Sequence, residues 1–403
     1  MEIYKYKNES DNKKNVLETI YDYNRKGIVV SRSTLAEKTS LSLTTIIKFI
    51  SEFIEDDIVE EFDELESTGG RKPISLRINP DYAYAISVDI GTFSAKIGVV
   101  RINGDIIQKQ IISVKDDKVP SKVLTIEELF EKIDEIIEKF GKNKLLGIGF
   151  SISGMVNCKE GRIIFCPNIN GWDNMPIVSL LNKRFNTSVF LDTSPRCMAL
   201  AEQWFGVGKD IENQIFASFG YGSIGSGIII DSKLFRGSDN FAGELGHVQV
   251  VSDGLECTCG NSGCIEGYVT LPMIIRKIKY NVSVNIGYSP IKFLVDDVDQ
   301  INKDIVIEAL KEGDKIVHEI IAEAGQFIGI ALANMANLFN PELIILGGGV
   351  IESFPDIVDE VERTIKKKSL VTIQKNLMLK KSILGLDSSI IGAAILVIQE
   401  FFS

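Results

Sequence analysis

The chain has 403 residues, 45% of them hydrophobic and 25% charged, the make-up of an ordinary soluble globular protein. That length calls for two or three cores rather than one. The formal net charge of −11 argues against indiscriminate binding of polyanions over the whole surface but allows a local basic patch.

The opening MEIYKYKNESDNKK is polar and lacks the apolar core of a secretory signal. The longest apolar run, FIGIALANMANLF, is shorter than the ~20 residues a membrane span needs. A cytoplasmic protein with no membrane partner is expected, and in that compartment its cysteines stay reduced.

Helical spacing of Val16, Leu17, Ile20 and Tyr23, closed by Gly27, predicts a first helix. A second begins near Ser31 or Ser33, and a short turn, Thr39 to Leu41, separates it from a third. Ser42 caps the third helix, which buries Ile46, Ile50 and Phe53. Two alternating runs follow, IVEEFDE and ISLRINP, joined by LESTGGRKP. Residues 1–80 therefore read as a winged helix-turn-helix DNA-binding domain. Thr44, Thr45 and Lys48 face outward on the third helix as major-groove readers. Arg71 and Lys72 sit at the wing tip, in reach of phosphates or a minor groove. Charge is a weaker support: residues 1–51 carry nine Lys/Arg against six Asp/Glu, whereas residues 52–66 carry nine acidic residues and no basic one.

From Tyr82 onward strand and helix signals alternate, as in an α/β protein. YAISVDIGTFSAKIGVVRINGDII reads as strands turning at Gly91 and at Asn103-Gly104, TIEELFEKIDEIIEKFG as an amphipathic helix, and LLGIGFSISGMVN as a buried strand running into a turn. ASFGYGSIGSGIIIDSKLFRG gives a strand pair with a glycine-rich turn. AGQFIGIALANMANLFNPELIILGGG gives a long helix, a buried strand and a glycine turn.

In the second half, CTCGNSGC gathers Cys257, Cys259 and Cys264. Three soft ligands in one glycine-flanked turn call for a fourth, and His247 in GELGHVQV lies ten residues upstream of Cys257. A closed Cys3His set is a structural zinc site. The metal would hold Glu244, His247 and Glu266 near one point, and carboxylates with imidazole are good partners for sugar hydroxyls. Cys158, Cys166 and Cys197 are scattered and read as buried thiols.

DIG at 89–91, GIGFSISGMV at 147–156, PNINGWDNMPI at 167–177, GELGHVQV, CTCGNSGCIEGY, NLFNPELIILGGGV and LGLDSSIIGAA together resemble the ROK family of sugar kinases and repressors, on the two-lobed actin-like ATPase fold. With the N-terminal domain in front, the chain is similar to the repressor branch and to bacterial xylose repressors. The resemblance implies a sugar-binding domain over residues 81–403, with one lobe of approximately 81–196 plus the C-terminal helix and a second of 197–384. It implies sugar contacts from Glu244, His247, Glu266, Thr193, Ser194 and Gly154, operator DNA and a sugar effector as partners, and a homodimer or higher homo-oligomer. Xylose is the sugar it favours.

Measured against the kinase branch, Ser194 falls where that branch keeps its catalytic aspartate and Thr193 where it keeps a sugar-binding asparagine. A serine with no base beside it cannot take a proton at neutral pH. Asp192 is two residues away, ~6–7 Å along a strand. Tyr221, in GYGSIGSG, stands where small residues admit phosphate. No catalytic residue is therefore expected: the chain reads as a sensor, not an enzyme, its sugar pocket inherited from a kinase fold.

Overall fold

The computed structural model describes residues 9–62, 74–113, 124–166, 171–284 and 289–402. They divide into two compact units, one running to Phe205 and resuming at Ser389, the other Gly206–Ser388.

The first unit begins with α1 (Asp11–Arg25), β1 (Val30–Ser31), α2 (Arg32–Thr39), α3 (Leu43–Glu55), β2 (Val59–Phe62) and β3 (Ser75–Ile78). Local chemistry sets the helix ends. Ser31 caps α2 by accepting from Thr34 N, and Ser42 caps α3 by accepting from Thr45 N. Between them Ser40 adopts a left-handed conformation, φ 57°. The strands form an antiparallel sheet in the order β1-β3-β2. Ile46, Ile50 and Phe53 are fully buried on one face of α3, as helical spacing requires.

The unit continues with β4 (Tyr84–Ile90), β5 (Ser94–Arg101), β6 (Ile106–Ser113), α4 (Ile126–Phe140), β7 (Leu145–Ile152), β8 (Met155–Asn157), β9 (Arg162–Phe165), α5 (Ile177–Phe185), β10 (Val189–Thr193) and α6 (Ser194–Phe205). Its five-stranded sheet has the order β10-β7-β4-β5-β6. α4 starts on a capping box between Thr125 and Glu128. The C-terminal helix, Ser388–Phe402, lies against this sheet where side chains are missing. A Cβ on Gly149 would stand 1.8 Å from Ala393 O, and one on Gly147 3.0 Å from Val397.

One continuous apolar cluster joins Val16, Ile20, Tyr21, Ile46 and Phe53 of the N-terminal elements to Ile390, Val397, Phe401 and Phe402 of the C-terminal helix. The first eighty residues thus share a core with later segments. The chain leaves this unit only after α6 has ended, so residues 197–205, expected in the second lobe, belong to the first unit: α6 runs unbroken from β10.

The second unit comprises β11 (Gln214–Phe219), β12 (Ile224–Ile230), β13 (Lys233–Phe235), α7 (Glu266–Val269), α8 (Leu271–Val284), α9 (Ile291–Leu294), α10 (Lys303–Lys311), α11 (Lys315–Phe339), β14 (Leu343–Gly347), α12 (Gly349–Ser353), α13 (Ile357–Lys368), α14 (Val371–Gln374) and β15 (Met378–Lys381). Its sheet order, β13-β12-β11-β14-β15, repeats the pattern of the first. In each, three strands meander antiparallel and two more add in parallel beside the first. FIGIALANMANLF belongs to the 25-residue α11, which with the helical stretch 385–402 is long and apolar enough to cross a membrane by length and composition. Both instead supply core residues, Ile328 and Leu332 from the first and Ile395 and Ile398 from the second.

Candidate metal centre and carboxylate site

In the second unit the start of β12 anchors the residues of interest. Ser226 N donates to Gly243 O at 2.8 Å, and Ser226 Oγ to the same oxygen at 3.0 Å. Gly243 has φ 98°, and a Cβ there would fall 2.3 Å from Ser226 O. Only glycine brings this loop so close, and the approach fixes Glu244 and the turn Leu245–His247. Glu266 opens α7, and its Oε2 accepts from Ile224 N at 3.2 Å. Glu244, His247 and Glu266 are therefore all held to one strand end.

His247, Cys257, Cys259 and Cys264 converge, their ligand atoms all within 4.8 Å of one another. Cys259 Sγ lies 3.7 Å from Cys264 Sγ, and Cys257 Sγ 3.6 Å from His247 Nδ1. A tetrahedral ion about 2.3 Å from sulfur and about 2.0–2.1 Å from nitrogen spaces such pairs about 3.8 and about 3.6 Å apart. The donor set therefore fits a four-coordinate soft cation. The backbone builds the nest: Val250 N donates to Gly263 O, Gly263 N to Leu255 O, and Cys257 N to Asn261 O. Gly263, at φ 73°, leaves no room for a Cβ, which would sit 1.8 Å from Val251 O.

Burial pushes the Cys264 thiol up to about 12, with Cys257 and Cys259 adding to the rise, whereas a backbone hydrogen bond at Asn261 holds Cys259 below its usual value. A bound cation would reverse the shift at Cys264. Cys166 lies outside this group. Burial, reinforced by Asp173, raises it to about 12, so it is an inert thiol. Cys197 is buried as expected, but Cys158 is only half-buried.

In the first unit, Asp89 at the end of β4 is the hub of a buried polar cluster. Its Oδ1 accepts from Ser194 Oγ at 2.6 Å and Ser151 Oγ at 2.8 Å. Its Oδ2 accepts from Ser389 Oγ at 2.7 Å, with Lys96 Nζ 3.6 Å away. DIG and LGLDSSIIGAA are visible as motifs in the sequence, but nothing there shows that Asp89, Ser151 and Ser389 meet. They are 62 and 300 residues from Asp89 along the chain, and no local signal links them.

Thr193 and Ser194, expected to touch sugar, are buried, and Ser194, expected to have no base beside it, donates its hydroxyl to the Asp89 carboxylate, which sheet pairing and not chain proximity brings there. Asp192 is buried in an ion pair with Arg196 at 3.0 Å and accepts from Thr193 N at 2.8 Å. Gly154 lies against Phe165 O, 2.8 Å from where its Cβ would be. In the second unit Tyr221 covers the glycine turn after β14. A Cβ on Gly349 would come within 2.5 Å of its ring, and its hydroxyl is 3.3 Å from Ser353 Oγ.

On α3, Thr44 and Lys48 are exposed one turn apart. Thr45 is half-buried, its hydroxyl 2.8 Å from Ser42 Oγ. Leu43 and Ile47, 50% and 46% exposed, share this surface and went unnoticed in the sequence. Arg71 and Lys72 lie outside the described residues.

Two sheets of one repeated topology, each with a buried acidic residue or a carboxylate pair at strand ends, define an actin-like fold of the sugar-kinase type. The chain belongs to the ROK family, whose model matches residues 85–400. It is 31% identical over 394 residues to the xylose repressor of Caldicellulosiruptor bescii, covering 97% of this chain and 96% of that protein. Among solved structures it resembles a ROK family transcriptional regulator described as a homolog of the E. coli MLC protein, with TM-score 0.79, 26% identity, and coverage of 97% and 96% of the two chains. A ROK family glucokinase from Streptomyces griseus, in complex with glucose and AMPPNP, matches with TM-score 0.67 and 28% identity over 79% of this chain and 100% of that one. The regulator's match extends over the N-terminal elements, and the kinase's covers a smaller share of the chain.

Proposed function

We propose that the protein is a sugar-responsive transcriptional repressor of a carbohydrate-utilisation operon. Its N-terminal elements act as a winged helix-turn-helix, with Thr44, Thr45 and Lys48 reading the major groove and Arg71 and Lys72 gripping the backbone from the wing. The observation that carries this reading is the presence, in one chain, of exposed Thr44 and Lys48 on a capped third helix and of two carboxylates, Glu244 and Glu266, held beside a Cys3His donor set. The names of the full-length relatives agree with it.

Zn2+ suits the Cys3His donors and would be held by His247, Cys257, Cys259 and Cys264. It would brace the loop that carries Glu244 and His247, which leaves the two glutamates to accept hydrogen bonds from sugar hydroxyls. A sugar lowers operator affinity through its preference for one of two states of the protein. A two-fold dimer suits two operator half-sites, and the sequence composition suits the cytoplasm.

Phosphoryl transfer is absent from this reading. Ser194 is not itself a base, and the carboxylate beside it, Asp89, already accepts from Ser151, Ser194 and Ser389; Asp192 is paired with Arg196, and Tyr221 covers the glycine turn. Incubation with ATP and a panel of sugars should therefore give no sugar phosphate. Turnover with any sugar would return the chain to the kinases.

A thermal-shift screen of zinc-loaded protein tests the sugar site. A sugar at a hundred times its Kd adds about 2.7 kcal/mol of stability, and Glu266→Gln should abolish the shift. An undiminished shift in Glu266→Gln would move the sugar elsewhere. For the DNA contact, Lys48→Ala should weaken operator binding about tenfold, consistent with the cost of a base contact. Unchanged affinity would remove Lys48 from the interface.

A further inference from the structure

α6 and the C-terminal helix are bound together at both ends. At their N-terminal ends, Ser194 and Ser389 donate to the two oxygens of the same buried carboxylate, Asp89. About one turn further on, Gly392 of the C-terminal helix meets the α6 backbone: a Cβ there would lie 1.8 Å from Cys197 O. Backbone-to-backbone contact without an intervening side chain makes the two helices shift as a pair.

Their C-terminal ends converge on one residue of α1. The Tyr21 ring stacks on Phe402, with centroids 3.9 Å apart and planes 16° apart, and tilts against Trp204 at 5.7 Å. Its hydroxyl donates to Ile102 O at 3.0 Å. Arg25, one turn later on α1, lies over the Trp204 ring at 5.1 Å. At 1.5 Å per residue, α6 carries this link over about 15 Å, from Ser194 to Trp204.

We propose that Tyr21 is the positioning residue through which the Asp89 cluster sets the placement of the N-terminal module. A change at Ser194 or Ser389 displaces two coupled helices, and both deliver the displacement to one aromatic ring on α1. The alternative is that Tyr21 is only core, adding stability but no communication. This inference deepens the proposed function and rests on it for the DNA readout.

The test is a double-mutant cycle on operator affinity in the full-length, zinc-loaded protein, pairing Ser389→Ala with Tyr21→Leu. Sites more than about 10 Å apart that share no partner behave additively, within about twofold in an equilibrium constant. A coupled pair should depart from additivity by at least about fivefold, and additive behaviour would overturn the proposal. If Tyr21→Leu does not fold, Phe402→Leu takes its place in the cycle.

A second arm needs no DNA. Trp172 and Trp204 are the two tryptophans, so in a Trp172→Phe background emission reports Trp204 alone. Ser389→Ala should shift that emission, and Tyr21→Leu should abolish the dependence. An emission unaffected by Ser389→Ala would contradict the relay. Sugar separates this inference from the broader one. If wild type responds to sugar and Tyr21→Leu binds sugar without responding, the relay stands. If both respond equally, it falls. A wild type that responds to no sugar tells against the effector reading, and the cycle and the emission still decide the relay.

Discussion

Exchanging Cys264 for serine should abolish binding of the zinc proposed for the Cys3His group. Cys264 is the buried member of the four, and its sulfur lies 3.7 Å from that of Cys259. Changes to groups that merely orient a ligand already cost 10–100-fold in metal affinity, so loss of a ligand should exceed about a hundredfold. Metal analysis after dialysis should find one zinc per wild-type chain and close to none in the variant. The effect extends beyond the ion, because the same loop supports His247 and the approach of Glu244 to β12. Sugar binding should be lost with the metal, while the first unit, with its own cores, keeps its structure. A variant that retains stoichiometric zinc would show that the cluster is not the metal site. One that loses zinc but binds sugar normally would free the carboxylates from the metal.

Gly149→Ala should produce a large loss of stability. Gly149 is in the middle of β7, where the C-terminal helix crosses it, and the added Cβ would stand 1.8 Å from Ala393 O and 2.4 Å from its carbonyl carbon. Backbone cannot rotate aside as a side chain can, so the helix must lift off the sheet. Overpacking typically costs about 1–3 kcal/mol, and a clash with two backbone atoms belongs at or above the top of that range. Both tryptophans, Trp172 and Trp204, lie in the first unit, so urea unfolding followed by their fluorescence isolates its stability. Gly267→Ala is the contrast: its nearest neighbour would be Leu255 Cβ at 3.9 Å, and it should change stability by no more than about 1 kcal/mol.

The parts of the fold that could be read from the sequence are those with local causes. Ser42 as a cap, the buried stripe Ile46, Ile50 and Phe53, and the turns at Gly91 and Gly104 are set by neighbours a few residues away. The His/Cys3 group was legible for a related reason. Its ligands span eighteen residues, and so few residue types bind zinc that type and spacing alone pick them out. The Asp89 cluster was not legible, because it is assembled by sheet pairing of β4 with β7 and by the return of the C-terminal helix. The end of the first unit at Phe205 was misplaced for a similar reason: α6 meets the C-terminal helix through the backbone of Cys197 against Gly392, and only that contact, made far along the chain, shows which unit owns it. Exposed Leu43 and Ile47 were missed because a spacing argument assigns apolar residues to a core by default.

The central claim is that one sugar controls the grip of this protein on DNA. Its most direct test is fluorescence anisotropy with a labelled fragment, selected by the zinc-loaded protein from its own genome, titrated in the absence and presence of xylose, glucose and N-acetylglucosamine. The account predicts that one sugar raises the Kd for DNA at least tenfold and that Glu266→Gln removes this effect without changing the Kd measured in the absence of sugar. A Kd that stays within twofold for every sugar, while the fragment remains tightly bound, would contradict it.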